Sequence, residues 1–359
     1  MNTLLIPAPD TIPAAWGWFQ FFLLVTFPLH LLAMNAMLGG LVIGIGLQVT
    51  NKPLANALSH KIAIALPLVI AFAVNFGVAP LLFLQVLYGH FVYTSSILMG
   101  TFWLLVIPML IIAYYGAYLY DFKYQALGKT KGILIGLVVL LLLLVIGYFF
   151  SNNMLMMSKP EVFENYFAHR GGSFLVSGEV EFMPRYLHMI IGALAIGGLS
   201  VAVLGRLILG KDDAELSNFA QDLGLRVFSW ITLLNVLAGI WYLLSIKRET
   251  MRIFMGGDLL ATIAFCLALF LVVCVLFTGF TKRLYATVAG AITLLYLMSF
   301  MRAWVRSDYL GSVFSLDTLT VSTQWSPLIF FVITLVMGVG VIAWMFRAVA
   351  RERATQNEW

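Results

Sequence analysis

The chain has 359 residues, of which 62% are hydrophobic and only 10% charged, with a net charge of +5. That balance excludes a water-soluble globular protein and describes an integral membrane protein. The small basic excess does not ask for a nucleic acid, because Lys and Arg in a membrane protein mainly set its orientation.

The segment Met1–Pro13 carries Asp10, three prolines and no basic residue, so a cleaved secretory leader is not expected there. Apolar runs of spanning length follow at 16–49, 60–93, 95–120, 131–156, 183–209, 224–246, 258–280, 284–303 and 327–347. About 20 residues cross the hydrocarbon core, so the pattern predicts nine transmembrane helices in a single all-α bundle over 1–359. The first two runs exceed that length and predict tilt or extension beyond the bilayer. Of the 21 Lys and Arg residues, 13 fall on one set of connections and 8 on the other. The richer side is cytoplasmic by the positive-inside rule, which predicts the N-terminus outside and the C-terminus inside. Two outer connections are long, 157–182 and 307–326, and offer docking ground for a partner. No soluble domain is inserted, and no low-complexity segment or internal repeat is legible.

Cys266 and Cys274 lie eight residues apart in one apolar run and do not pair with each other. No Cys-x-x-Cys-His occurs, which excludes covalent c-type haem attachment.

Helix five, Met183 to Arg206, holds the most telling polar group. His188 sits about one turn inside the membrane, amid Gly192, Ala193, Ala195, Gly197 and Gly198. A ring nitrogen in hydrocarbon needs a partner. A haem iron would supply one, and the small residues leave room for a macrocycle; a hydrogen bond to a neighbouring helix is the plainer alternative. His30 lies near mid-depth in helix one, and His90 near the outer end of helix two. His169 reads as a loop surface residue and His60 as an interfacial one. Arg252, Arg302 and Arg306 lie at outer helix ends, where they suit haem propionates or act as snorkelling anchors. Met255 is a candidate thioether ligand. Trp16, Trp18, Tyr88, Tyr93, Trp304, Tyr309 and Trp325 read as an aromatic belt. Helices two to four contain no acidic residue in their interiors, which argues against an ion-coupled transporter.

Three passages resemble subunit I of the cytochrome bd quinol oxidases. The first is Trp18-Phe-Gln-Phe-Phe with Pro28-Leu-His30-Leu-Leu and Leu38-Gly-Gly. The second is Ser151-Asn-Asn-Met-Leu-Met-Met-Ser-Lys-Pro160. The third is Arg185-Tyr-Leu-His188 running through Gly-Gly to Leu-Gly-Arg206. The likeness covers 16–245 and includes the helix count. It implies one or two b haems, with His30 and His188 on iron, and a quinol substrate. It places Arg252 and Met255 near the family's Arg-x-Met, with a spacing off by one, and leaves His90 as a rival second ligand. The family's Gly-Arg-Gln-Pro-Trp motif and its helix-three glutamates are absent, and its long quinol loop shrinks to Ile246–Gly257. The expectation is a b-type cytochrome subunit of a bacterial cytoplasmic membrane that does not reduce oxygen. It would be part of a quinol-linked oxidoreductase, carrying electrons between quinol and an outer c-type cytochrome or other redox subunit, with a second membrane subunit as a further partner. The alternatives are a divergent bd-type oxidase and a haem-free transporter or scaffold subunit.

Overall fold

The computed structural model describes residues 5–50, 52–168, 170–207, 209 and 213–356. His169 and Lys211 lie outside the described residues. Among those described, nine helices are long and apolar enough to cross a membrane. They are α1 (Trp16–Thr50), α2 (Pro53–Leu98), α3 (Gly100–Phe122), α4 (Tyr124–Met156), α5 (Phe182–Leu207), α6 (Ala214–Ser245), α8 (Leu259–Phe280), α9 (Leu284–Leu310) and α10 (Trp325–Gln356). The short α7 (Arg248–Arg252) precedes α8. The chain is an all-α membrane bundle.

Hydropathy finds the spans but not their ends. α2 begins at Pro53 and holds 46 residues, with Pro67 and Pro80 inside and a non-helical break at Tyr88. At ~1.5 Å per residue it runs roughly 70 Å, twice the hydrocarbon thickness. α6 begins at Ala214, capped by the Asp213 carboxylate, which accepts from the Leu216 N–H at 2.9 Å. α9 continues to Leu310, so Arg302 and Arg306 are helical residues rather than end residues. Intrahelical hydrogen bonding continues into water, where apolar composition stops.

Connections alternate between two ends. One end gathers the N-terminal segment, the α2–α3 turn, residues 157–181, α7 and residues 311–324. There the Ile12 N–H donates to Thr320 O and the Ser322 N–H to Ile12 O, both at 2.9 Å. The Thr101 N–H donates to Gly172 O at 2.9 Å and the Lys247 ammonium meets Glu161 at 3.1 Å. A core of Tyr88, Phe91, Met156, Phe163, Phe182, Leu310 and Phe314 fills this end. It is called the loop end below.

Two helical hairpins, α1–α2 and α5–α6, form the centre, with α3–α4 and α8–α9 packed around them. α1 and α5 cross at Gly39 and Gly197. A Cβ added at Gly39 would lie 2.7 Å from the Gly197 Cα, so neither position accepts a larger residue without the helices parting. Close backbone approach through small residues is the usual way membrane helices associate, since lipid gives no hydrophobic drive. α10 stands apart from this centre, with none of its spanning stretch Trp325–Val349 buried.

Candidate cofactor site

His30 projects from α1 onto α2. Its Nδ1 lies 2.8 Å from the Ala73 carbonyl oxygen. Four residues on, Gly77 presents bare backbone to the ring: a Cβ there would lie 2.9 Å from the His30 Cε1. His188 projects from α5 onto α6 in the same manner. Its Nδ1 lies 3.3 Å from the Asn235 carbonyl oxygen, and a Cβ on Gly239, again four residues on, would lie 3.1 Å from its Cε1. A carbonyl only accepts, so Nδ1 carries the proton in both rings. In the neutral imidazole that leaves the Nε2 lone pair free. Among the described residues neither Nε2 makes a hydrogen bond.

The correspondence extends along both hairpins. Gly39-Gly40-Leu41 follows His30 at the interval at which Gly197-Gly198-Leu199 follows His188. Ser59 on α2 donates to Gly44 O of α1 at 2.8 Å, and Ser217 on α6 donates to Gly205 O of α5 at 2.9 Å. The two hairpins share the run His-x8-Gly-Gly-Leu. Hydropathy hides it because every spanning helix is apolar.

Arg302 of α9 lies near residues one turn from each histidine. Its guanidinium lies 4.6 Å over the Phe27 ring, one turn before His30 on α1. It also lies within electrostatic reach of Arg185, one turn before His188, and of Tyr242, one turn beyond Gly239. Arg306 stacks at 4.9 Å over Tyr88, and its Nε is buried without a hydrogen-bond partner. Among the described residues no carboxylate pairs with Arg185, Arg302 or Arg306. Snorkelling anchors reach outward to water; these two α9 guanidiniums turn onto aromatic rings of the bundle. Cations held there without counter-charge leave room for an anion.

Closer to the loop end, carboxylates and a lysine form a second polar group. The Lys159 ammonium, 9% exposed, meets Glu179 at 2.5 Å and Glu181 at 2.6 Å. Tyr309 donates to the other Glu181 oxygen at 2.6 Å. Burial alone lowers the lysine's proton affinity, but the hydrogen bonds and charges of Glu179 and Glu181 outweigh it and hold Lys159 above its ordinary value. Asn152 and Asn153, both fully buried, tie the neighbouring chain. The Asn152 Oδ1 accepts from the Val176 N–H at 3.0 Å, and the Asn153 Nδ2 donates to Ser96 Oγ at 3.1 Å. Asn152 thus holds the loop at Val176, and Asn153 ties α4 to α2.

The other sequence candidates lie elsewhere. His90 packs its ring on Phe91 and Phe314, at 4.1 and 4.8 Å, and no contact joins it to His188 among the described residues. Met255, 55% exposed, sits in an irregular turn whose next residue, Gly256, has φ +104, a left-handed conformation that favours glycine. Arg252 is exposed beside it. His60 stacks on Tyr124 at 4.6 Å at the opposite end from the loops. Trp18, Tyr93 and Trp325 are exposed, as an aromatic belt requires. Tyr88 and Tyr309, 2% and 6% exposed, are not belt residues: one lies beneath Arg306 and the other bonds Glu181. Cys266 and Cys274 are free. Among the described residues no three His, Cys, Asp or Glu side chains gather as a metal-holding group.

Fold and site together define an integral membrane protein with two similar histidine frames beside half-buried guanidiniums that pair with no carboxylate among the described residues. No family model matches the chain, and no curated protein does.

Proposed function

We propose that this protein is a membrane-bound b-type cytochrome subunit, with His30 and His188 each ligating a haem iron. The observation that carries the proposal is the duplicated frame: Nδ1–H on a carbonyl, a glycine against the ring, and Nε2 without a partner. A ligating histidine commonly donates its other nitrogen to a carbonyl, which fixes tautomer and ring plane. A lone histidine, unsupported by a cluster of other donors, suits a metal whose remaining equatorial ligands arrive with a macrocycle. Two propionates would balance charge on Arg302 and Arg306, with Arg185 beside them. When bound, haem supplies one-electron transfer.

The chain's own residues then bind and orient the group. Gly77 and Gly239 let each ring edge approach its neighbouring helix, and the Gly39–Gly197 crossing sets the spacing of the two frames. Quinol is the electron donor in this reading, and the membrane is a bacterial cytoplasmic membrane with the loop end outside. A c-type cytochrome or other redox subunit would dock on 157–181 and 311–324, and a second membrane subunit would cover exposed helix faces. The resemblance to cytochrome bd subunit I over three passages supports this assignment.

The test is a reduced-minus-oxidised visible spectrum of the purified protein with a pyridine haemochrome assay. One or two b haems per chain are expected, and His188→Ala and His30→Ala should each remove a distinct signal. Colourless protein from haem-replete cells would overturn the proposal. Faster haem reduction on adding quinol is expected as well; an unaltered rate would remove the quinol assignment alone.

A further inference from the structure

α3 turns small residues inward and rings outward. Ala113 and Ala117 are fully buried, and a Cβ on Gly116 would lie 2.6 Å from the Val139 Cγ2 of α4. On the other side Tyr115, Leu119 and Phe122 are exposed. Tyr118 stacks on Phe122 with ring centroids 5.4 Å apart and meets Tyr114 edge-on at 5.0 Å. Tyr115, Tyr118, Leu119, Phe122 and Lys123 line an open cleft of about 460 Å³. That volume is within the roughly 300–1,000 Å³ of ordinary ligand sites.

The cleft lies where hydrocarbon gives way to headgroups. α3 has 23 residues, roughly 34 Å at ~1.5 Å each, close to the thickness of the hydrocarbon core. Its last residue, Phe122, therefore stands at the interface opposite the loop end, and the cleft runs inward from there for about two turns. A phenol at that depth needs a hydrogen-bond partner. Tyr114 and Tyr118 offer each other only a 3.5 Å contact between their hydroxyls, the long limit of a hydrogen bond. Lys123 caps α3 at the mouth of the cleft; it is exposed and forms no ion pair among the described residues. Lys129 and Lys131 follow in the same stretch, and Asp121 is its single carboxylate. Lys129 is fixed on Val49 O of α1 at 2.8 Å. Residues of an aromatic belt stand singly at the headgroups. Here rings on successive turns wall a cleft that also has an uncompensated cation in its lining.

We propose that this cleft binds one anionic glycerophospholipid. The lipid phosphate accepts from the Lys123 ammonium and the Tyr118 hydroxyl, and an acyl chain lies over Tyr115, Leu119 and Phe122. A zwitterionic lipid would bring its own ammonium against Lys123, whereas an anionic one brings only the charge that the lysine lacks. The sign agrees with the sequence, since 13 of the 21 Lys and Arg residues fall on this set of connections. The inference is independent of haem ligation.

The experiment is native mass spectrometry of the purified full chain in detergent, titrated with phosphatidylglycerol or with phosphatidylcholine of the same acyl chains. Unaltered protein should retain one phosphatidylglycerol, with a roughly fivefold preference over phosphatidylcholine, the weight of one cation beside anionic lipid. Lys123→Gln, at an exposed position, should keep the fold and abolish that preference. Leu119→Trp fills the cleft and should remove the retained lipid of either kind. Equal retention of the two lipids by unaltered protein would overturn the inference, as would a preference that survives Lys123→Gln. Displacement of the bound lipid by inorganic phosphate at constant ionic strength, or a quinone retained in its place, would overturn it too. If Leu119→Trp does not fold, the unaltered protein and Lys123→Gln decide.

Discussion

Gly239 stands against His188 so closely that a methyl group there would lie 3.1 Å from the ring's Cε1, and Gly77 stands against His30 at 2.9 Å in the same relation. Both contacts would be tighter than ordinary van der Waals packing, and each ring bonds the carbonyl four residues before that glycine on the same helix. Gly239→Ala should tilt the His188 ring away from Asn235, and Gly77→Ala should tilt His30 away from Ala73. Overpacking of this kind costs about 1–3 kcal/mol. The expected outcome is selective: each variant folds, shifts or loses the signal of its own haem, and leaves the other. Visible and electron paramagnetic resonance spectra read this directly. Equal loss of both signals from either variant would mean that the two frames are not independent.

Among the described residues Arg302 has no carboxylate partner, so its removal should have opposite consequences with and without an anion beside it. In the haem-loaded protein, Arg302→Met removes positive charge near the iron and disfavours the reduced state. The midpoint potential should fall, by roughly 59 mV if the charge is worth one tenfold step for one electron. In haem-free protein the same substitution relieves an uncompensated, half-buried charge and should raise the thermal midpoint. A potential that does not move would separate Arg302 from the cofactor.

The nine spans were legible in composition because lipid demands apolar side chains on every exposed helix face. What the residues do inside the bundle was much less so. Tyr88 and Tyr309 read as belt residues, since a phenol at a helix end looks the same whether it meets lipid headgroups or a buried partner. Only the tertiary placement of Arg306 and Glu181 separates the two cases. His30, His188 and the glycine pairs after them were visible as motifs. Gly77 and Gly239 were not, because a glycine within an apolar helix carries no periodic sign of what it faces. Their roles come from the pairing of α1 with α2 and of α5 with α6, which hydropathy does not encode.

Lys159 gives the fold a stability term with a definite pH course. Its proton affinity is held above the ordinary lysine value of 10.5 by Glu179 and Glu181. A raised folded-state value means that the stabilisation is fully present below the ordinary value and is lost as pH rises through the folded one. Thermal unfolding in detergent should therefore show no loss from this group through neutral pH and a decline only above about 10.5. Lys159→Met leaves two carboxylates without their cation, one of them buried. It should cost about 3–5 kcal/mol at neutral pH. A variant as stable as the parent would mean that the buried carboxylate is compensated elsewhere.

Asn152 separates loop order from cofactor binding. Its Oδ1 is the partner of the buried Val176 N–H, at 3.0 Å, and Asn152→Ala would leave that donor unsatisfied. One such orphan costs about 1–3 kcal/mol. Residues 157–181 should then exchange amide hydrogens faster and be cut sooner by protease, while both haem signals persist. Loss of haem instead would tie this loop to the cofactor directly.

The α1–α5 crossing tests whether the two histidine frames depend on one another's position. A Cβ on Gly197 would come within 2.8 Å of the Gly40 nitrogen and closer still to Gly39, and neither backbone can move without its helix. Gly197→Ala must therefore part α1 from α5, and with them the hairpins that carry His30 and His188. Because Arg302 reaches both sides, it cannot follow both. Both haem signals should weaken together, in contrast to the one-sided effect of Gly77→Ala or Gly239→Ala, with a thermal midpoint lowered by at least the cost of one overpacked site, about 1–3 kcal/mol. A Gly197→Ala protein with both signals intact would show that the frames are held by α2 and α6 alone, and that the crossing contributes stability but not spacing.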